Sequence, residues 1–547
     1  MAPSTEAQPR SVRVQPLPKT RLSPSLPAPE LPSAPTGGSD DRPVARPTAR
    51  IWVDNCALAA AWAVALAIVG FYTARLSMPA PLFGIDEGSY LLRALYDEAT
   101  IARNPFVANV TNGALAIIIR VSASLGGSYI VADRWVNAGI YIGGLGVFSA
   151  VATHGLRRRT RLCLSALALG FPFYRFAFSD MAEGPFVGLL AIICAVTWSL
   201  YRRRPLLHAV TFGALAAALV LIKPHGICVL LAFGLAVVVD AVLSRRFRHA
   251  TLRLAGAGFA FLVAGNLIQY AAGEPVKNLA LFFVSPFYDG TLHAALAPQA
   301  VSLALLNMAA TSSAFAILAG VPIVVGLADL ADRWWVADRR AGFKVSNREF
   351  GFLMLLMTAV ATLAMVTLFA LKMATSPGET HRLWGRYIEF LAPLLWLSAG
   401  PSFEHADARR SFTRALCVAV MGAGLIGLLA SFRAGVVLYP WDATAITAFF
   451  APKVGATIET AFPFRPLAIS ATLAAMGWMA AGRDPLRAGL ALTLTLAVLS
   501  TKLDSMWLGV MIQGRMRSIR TSRPWRPGSQ MACLARSLWR TIQTRRR

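Results

Sequence analysis

The chain is 547 residues long, 56% hydrophobic and only 15% charged, with a formal net charge of +26. A soluble domain carries roughly 45–50% apolar and about 25% charged residues, so this composition excludes an ordinary soluble fold and predicts a multi-pass membrane protein. The Lys and Arg residues sit in short tracts between apolar runs and in the two tails, which makes the charge a topology signal and excludes nucleic acid as a partner.

Residues 1–50 hold eleven prolines and no apolar periodicity, predicting a disordered cytosolic tail. The segment is not a cleavable signal, which needs its apolar region near the start. A membrane module is expected over 51–512 and a basic, disordered tail over 513–547, where ten arginines and no acidic residue follow Gly514.

A span needs about 20 apolar residues to cross roughly 30 Å of hydrocarbon. On that basis spans are expected near 55–77, 130–153, 162–179, 184–201, 206–223, 226–243 and 253–271. Six more follow near 303–327, 350–371, 387–400, 412–431, 466–481 and 487–503. The predicted fold is all-α, a polytopic membrane protein with about 11–13 transmembrane helices. No internal repeat is visible, so an inverted-repeat transporter gains no support.

Between the first two spans, 88–126 is too polar to cross, with Arg93, Asp97, Glu98, Arg103, Asn104 and Arg120. Leu91, Leu92, Leu95 and Ala99 recur at helical spacing, which suits a helix lying in the interface; a second is expected at about 112–126. These two interfacial helices make up the first outer loop.

The clusters "RRRTR" at 157–161, "RRR" at 202–204 and "SRRFRH" at 244–249 each end an even-numbered span and belong in the cytosol by the positive-inside bias. Thirteen spans then put the basic C-terminal tail outside, against the same bias, unless a late span near 487–512 is miscounted. The outer loops collect the unusual residues: Asp86 and Glu87, Asp180 and Glu183, Lys223 and His225, Asp289 and His293, then "HRLWGRY" at 381–387. An ionised group at the bilayer centre costs at least about 2.5–3.5 kcal/mol, so such groups at span ends usually line water or a ligand. The six cysteines are dispersed, with no CxxC pair, and imply neither disulfides nor a zinc site.

"GIDEGSY" after the first span, the paired interfacial helices, "RFAFSDMAEGPF" ending span three, a lysine ending span five and "GRYIEFLAPLL" opening a late span together resemble the C-class membrane glycosyltransferases. Within that superfamily the likeness is to the protein O-mannosyltransferase and lipid A aminoarabinose transferase group, over roughly residues 55–400. The resemblance implies transfer of a sugar from a polyprenyl-phosphate donor at the extracytoplasmic face of the cell (inner) membrane, to a lipid, glycan or protein acceptor. It places the catalytic carboxylate at Asp86, with Glu87 beside it, and matches the family's Arg-Tyr pair to Arg386 and Tyr387. Many relatives carry a soluble domain after the last span, whereas only a basic tail is expected there in this chain.

The chemistry of the residues agrees. An acceptor hydroxyl attacking an anomeric carbon needs one base, while the phosphate departs as a stable anion, so a second acid is unnecessary. Lys223, Arg382 and Arg386 suit that phosphate, Arg as a planar fork and Lys as a point charge. A single displacement inverts the anomeric centre. Asp180, Glu183 and His225 complete the expected substrate-binding set.

Each residue also has a plain structural role open to it. The acidic residues suit helix N-termini, Lys223 can snorkel, His225 can end a helix, and Arg382 and Arg386 can meet lipid headgroups. Asp289 and His293 fit a loop tip as well as an acceptor or metal contact. The adjacent carboxylates are compatible with a divalent metal, but no third ligand defines one. The rival functions are a lipid-linked sugar flippase without catalysis and a polysaccharide polymerase or ligase working through arginines and histidines of one large loop.

Overall fold

The computed structural model describes residues 47–77, 85–95, 112–126, 128–273, 300–336, 345–373, 381–405, 411–452 and 461–521. Most of the two tails, part of the first outer loop, and Asp289 and His293 lie outside them. The chain divides into two units, Met1–Trp52 and Val53–Arg547, and the second carries the helical bundle.

The helices are α1 (Pro47–Thr73), α2 (Ile85–Leu95), α3 (Gly113–Ser124), α4 (Tyr129–Ala152), α5 (Arg158–Gly170) and α6 (Tyr174–Ala177). Next come α7 (Glu183–Leu200), α8 (Pro205–Ile222), α9 (Gly226–Ser244), α10 (Phe247–Ala271) and α11 (Ala300–Val336). The last are α12 (Asn347–Met373), α13 (Arg386–Glu389), α14 (Leu391–Ser398), α15 (Ser411–Arg433), α16 (Phe464–Ala480) and α17 (Pro485–Thr521). The protein is an all-α polytopic membrane protein. Among the described residues ten helices are long and apolar enough to cross a membrane, and α2 and α3 occupy the two positions expected for interfacial helices.

Every expected span has a helix at its place in chain order, but three fall short of a full crossing. At about 1.5 Å per residue, the 13 residues of α5 reach only about 20 Å. Phe171-Pro172 follows, and the residue before a proline is pushed out of the helical region. The span expected at 387–400 is likewise broken into α13 and α14, of 4 and 8 residues, and α16 has 17. Irregular backbone at membrane depth survives only where protein covers it. Here residues 171–182 and 383–400 are buried throughout, as are 442–450 in the loop after α15. These buried irregular stretches carry most of the site.

Small residues set the helix crossings, as expected where lipid offers no hydrophobic drive and close packing must hold helices together. A Cβ on Gly188 of α7 would sit 2.3 Å from the Ile140 carbonyl oxygen of α4, and one on Gly144 of α4 would sit 2.1 Å from the Gly188 carbonyl oxygen. Only hydrogen at both positions lets α4 and α7 approach this closely. Helix α17 runs parallel to α1: Arg487 near its start pairs with Asp54 at 2.7 Å, while Asp504 accepts a hydrogen bond from Tyr72 Oη near the end of α1. Among the described residues each of the thirteen expected spans thus has a helix at its place, ten of them long and apolar enough to cross, and α17 continues to Thr521, beyond the expected boundary at 512.

Candidate active site

Glu183 opens α7 and Lys223 closes α8, and Lys223 Nζ donates to Glu183 Oε1 at 2.6 Å with side chains 9% and 4% exposed. An acidic side chain suits a helix N-terminus, whose free N–H groups carry partial positive charge. Pro224 then turns the chain into His225 and α9. Tyr387 of α13 packs on both: its ring centroid lies 4.6 Å from Lys223 Nζ and 4.7 Å from the His225 ring. Arg386 Nη2 donates to Tyr387 Oη at 2.9 Å. Glu183, Lys223, His225 and Arg386 line a narrow, closed cleft with Phe173, Phe186 and Phe390.

Burial, and then the neighbouring Lys223 and Arg386 charges, hold the His225 imidazole well below its usual range. It is therefore neutral near pH 7, and neither ring nitrogen has a hydrogen-bond partner among the described residues. A neutral imidazole offers one acceptor and one donor, which suits a sugar hydroxyl.

A second cluster adjoins the first. Glu87 of α2 is fully buried; its Oε1 accepts from the Asp180 backbone N–H at 3.1 Å and lies 3.7 Å from Arg134 Nη2. Arg134 Nε reaches Asp180 Oδ2 at 3.1 Å. Asn137, one turn along α4, donates to Asp133 Oδ2 at 3.1 Å and to the Ser179 carbonyl at 2.9 Å. Burial first, and then the Glu87 charge, lift the Asp180 carboxyl well above the usual carboxylate range, with Arg134 opposing. This cluster fixes the start of α2 against the stretch that leads into Glu183. Asp86 lies on α2 next to Glu87, and its side chain is outside the described residues.

A third group holds the opposite wall. Arg382 Nε donates to Asp442 Oδ1 at 2.7 Å, and its guanidinium lies 4.1 Å from the Trp384 ring centroid. The Arg386 backbone N–H donates to the Asp442 carbonyl at 2.7 Å. Glu389 Oε2 accepts from the Thr444 and Ala445 N–H groups, both at 2.8 Å, and from the Thr444 hydroxyl. Arg175 pairs with Asp504 and donates to the Pro440 and Ala443 carbonyls. The loop at 440–445 is thus clamped between α6, α13 and α17.

Six of the sequence-predicted residues therefore gather at one end of the bundle: Asp180, Glu183, Lys223, His225, Arg386 and Tyr387. Glu87 joins them through Asp180, and Arg382 through Asp442. Sequence reasoning missed Asp133, Arg134, Arg175, Glu389, Asp442 and Asp504. The signal for most of them was present as charged residues inside stretches otherwise read as spans, which are rarely placed there without a partner. Among the described residues no group of three or more His, Cys, Asp or Glu side chains is arranged to hold a metal ion.

No protein-family model matches the chain, and no curated protein matches it. A solved structure similar to it is ArnT from Cupriavidus metallidurans in the apo state, at 18% identity and a TM-score of 0.39, covering 83% of this chain and 78% of that chain. A likeness that loose carries no argument about chemistry, which rests on the residues themselves.

Proposed function

We propose that this protein is a glycosyltransferase that moves a sugar from a polyprenyl-phosphate donor to an acceptor hydroxyl on a lipid, glycan or protein, at the extracytoplasmic face of the inner membrane. One observation carries the reading: Glu183, Lys223, His225 and Arg386, from three distant parts of the chain, line one buried cleft, with Tyr387 packed on Lys223 and His225. Lys223 and Arg386 are the cations for the donor phosphate. Tyr387 and the phenylalanines supply apolar faces, and the neutral His225 supplies a hydrogen-bonding group for the sugar.

In the proposed reaction the acceptor oxygen forms a bond to the anomeric carbon as the carbon–oxygen bond to phosphate breaks. The electron pair leaves with the phosphate, where Lys223 and Arg386 compensate the charge. The acceptor proton passes to the Asp86 carboxylate as general base, in a single inverting displacement. Support for Asp86 is positional: its neighbour Glu87 binds the Asp180 N–H, three residues before Glu183. Purified protein is incubated with a panel of polyprenyl-phosphate sugars and consumption of each is followed. The expected result is turnover of one donor class, abolished in Asp86→Asn at normal protein abundance; unchanged turnover in that variant would falsify the assignment of the base.

A further inference from the structure

At the far end of α7 from Glu183, about 27 Å away for 18 helical residues, the chain builds a second charged cleft. It is a shallow surface cleft lined by Arg202, Asp240, Arg246, His249 and Arg253. Asp240 is already engaged: it accepts from Tyr201 Oη, pairs with Arg202 and lies 3.4 Å from Arg253 Nη1. One carboxylate therefore faces two guanidiniums, and Arg246 adds a third beside it in the lining. Arg253 is only 7% exposed, and its Nε has no hydrogen-bond partner among the described residues. A buried guanidinium donor without an acceptor is costly, and this one belongs to a side chain that lines the cleft.

The backbone adds to the field. Arg245 holds a left-handed conformation, φ 55°, that ends α9 and turns the chain sharply into α10. The turn sets the N-terminus of α10, a 25-residue helix, beside the cleft, and no side chain caps it. Free N–H groups at a helix start attract an oxyanion. Arg246, His249 and Arg253, spaced three and four residues apart, share one face of that helix.

We infer that this cleft binds the phosphate of an anionic phospholipid headgroup, in the leaflet away from the sugar-transfer cleft. A phosphodiester meets the unused Arg253 Nε, the Arg246 guanidinium and the α10 N-terminus together, and a headgroup phosphate lies at the depth where these membrane helices end. The same chemistry would accept free phosphate, so the test separates the two.

The full-length protein is placed in nanodiscs of phosphatidylcholine alone or of an equal mixture with phosphatidylglycerol, and retained lipid and unfolding temperature are measured. Phosphatidylglycerol is retained preferentially and raises the unfolding temperature. Arg246→Gln with His249→Gln, both at exposed positions, weakens retention by at least roughly fivefold, the worth of the Arg246 charge. Arg253→Gln does the same where it folds, and the exposed pair keeps the test decisive where it does not. Equal retention of both lipids by the wild type, or unchanged preference in the exposed double variant, overturns the proposal. Inorganic phosphate reproducing the whole shift in phosphatidylcholine discs overturns the lipid assignment in favour of a free-phosphate site. None of these readouts depends on sugar transfer.

Discussion

Lys223 and Glu183 can be separated by substitution, and the expected magnitudes follow from their geometry. Two unit charges 2.6 Å apart attract by about 6 kcal/mol at an effective dielectric of about 20. Much of that attraction offsets the cost of taking both groups out of water, so removing one partner, which leaves the other buried and uncompensated, costs roughly 3–5 kcal/mol. Lys223→Met and Glu183→Met should each lower stability by that amount in reversible unfolding from mixed micelles. The double variant should lose less than the sum, with a coupling energy above about 2 kcal/mol. A coupling below about 1 kcal/mol, the value of an exposed pair, would refute the interlocked geometry.

The same pair gives opposite expectations for ligand binding. If Lys223 is held for a phosphate, Lys223→Met should weaken binding of a polyprenyl-phosphate sugar by about 10- to 100-fold, the worth of a charge-assisted hydrogen bond. Glu183→Gln removes the competing anion while keeping its shape, and should leave binding equal or tighter. A Glu183→Gln protein that folds but loses donor binding as completely as Lys223→Met would show that the carboxylate itself contacts the sugar, and the exchange of anions on Lys223 would be abandoned.

Four further outcomes are expected. Burial lifts the Asp442 carboxyl to about 6 against the pull of Arg382, while an unfolded Asp titrates near 3.9; the folded state therefore binds the extra proton between about pH 4 and 6, and this group's contribution to stability falls as pH rises through that window. Asp442→Asn should remove that part of the slope in unfolding measured against pH, and an unchanged profile would exclude it. Glu389→Leu leaves the Thr444 and Ala445 N–H groups without their acceptor, at about 1–3 kcal/mol for each group, so limited proteolysis should cut the 440–450 loop faster than in wild type. Gly188→Val drives side-chain carbon into the Ile140 carbonyl and should cost more than the roughly 1–3 kcal/mol of ordinary overpacking, read as loss of folded protein after detergent extraction. His225→Phe keeps the ring against Tyr387 but removes both nitrogens, so it should fold normally and bind donor more weakly; undiminished affinity would exclude a sugar contact.

The span order was legible because about 20 apolar residues in a row have few other uses, and each expected span has a helix at its place. Length was not legible for α5, α13 and α14. Apolar composition continues unbroken through Phe171-Pro172-Phe173 and through the break at Phe390, since the irregular backbone there is covered by protein and needs no polar side chains facing water. The polar residues beside span ends were legible in the same way, as exceptions to a composition rule. Their partners were not. Nothing in the sequence joins Asp442 to Arg382, or Asp504 to Tyr72 and Arg175 across more than 300 residues, because these pairings exist only once the helices are packed. Asp133 and Arg134 stood in view inside an expected span, and the cost of burying them already called for partners.

Pairing also explains why the cleft is narrow. It leaves no room for a water molecule, and its charged groups face one another. A charge cluster at membrane depth cannot stand open without a counter-ion, and Glu183 fills that role for Lys223. A donor phosphate carries the same sign and can take the place of the carboxylate on Lys223 without leaving a bare cation. Glu183, displaced, still has the Arg386 guanidinium in the same cleft lining. On the proposed reading, entry of the donor and opening of the pair would be one event, and a neutral lipid, which brings no replacement anion, would have to break the ion pair outright. The cleft would thereby favour a phosphate-linked sugar over a neutral glycolipid before any contact with the sugar is made.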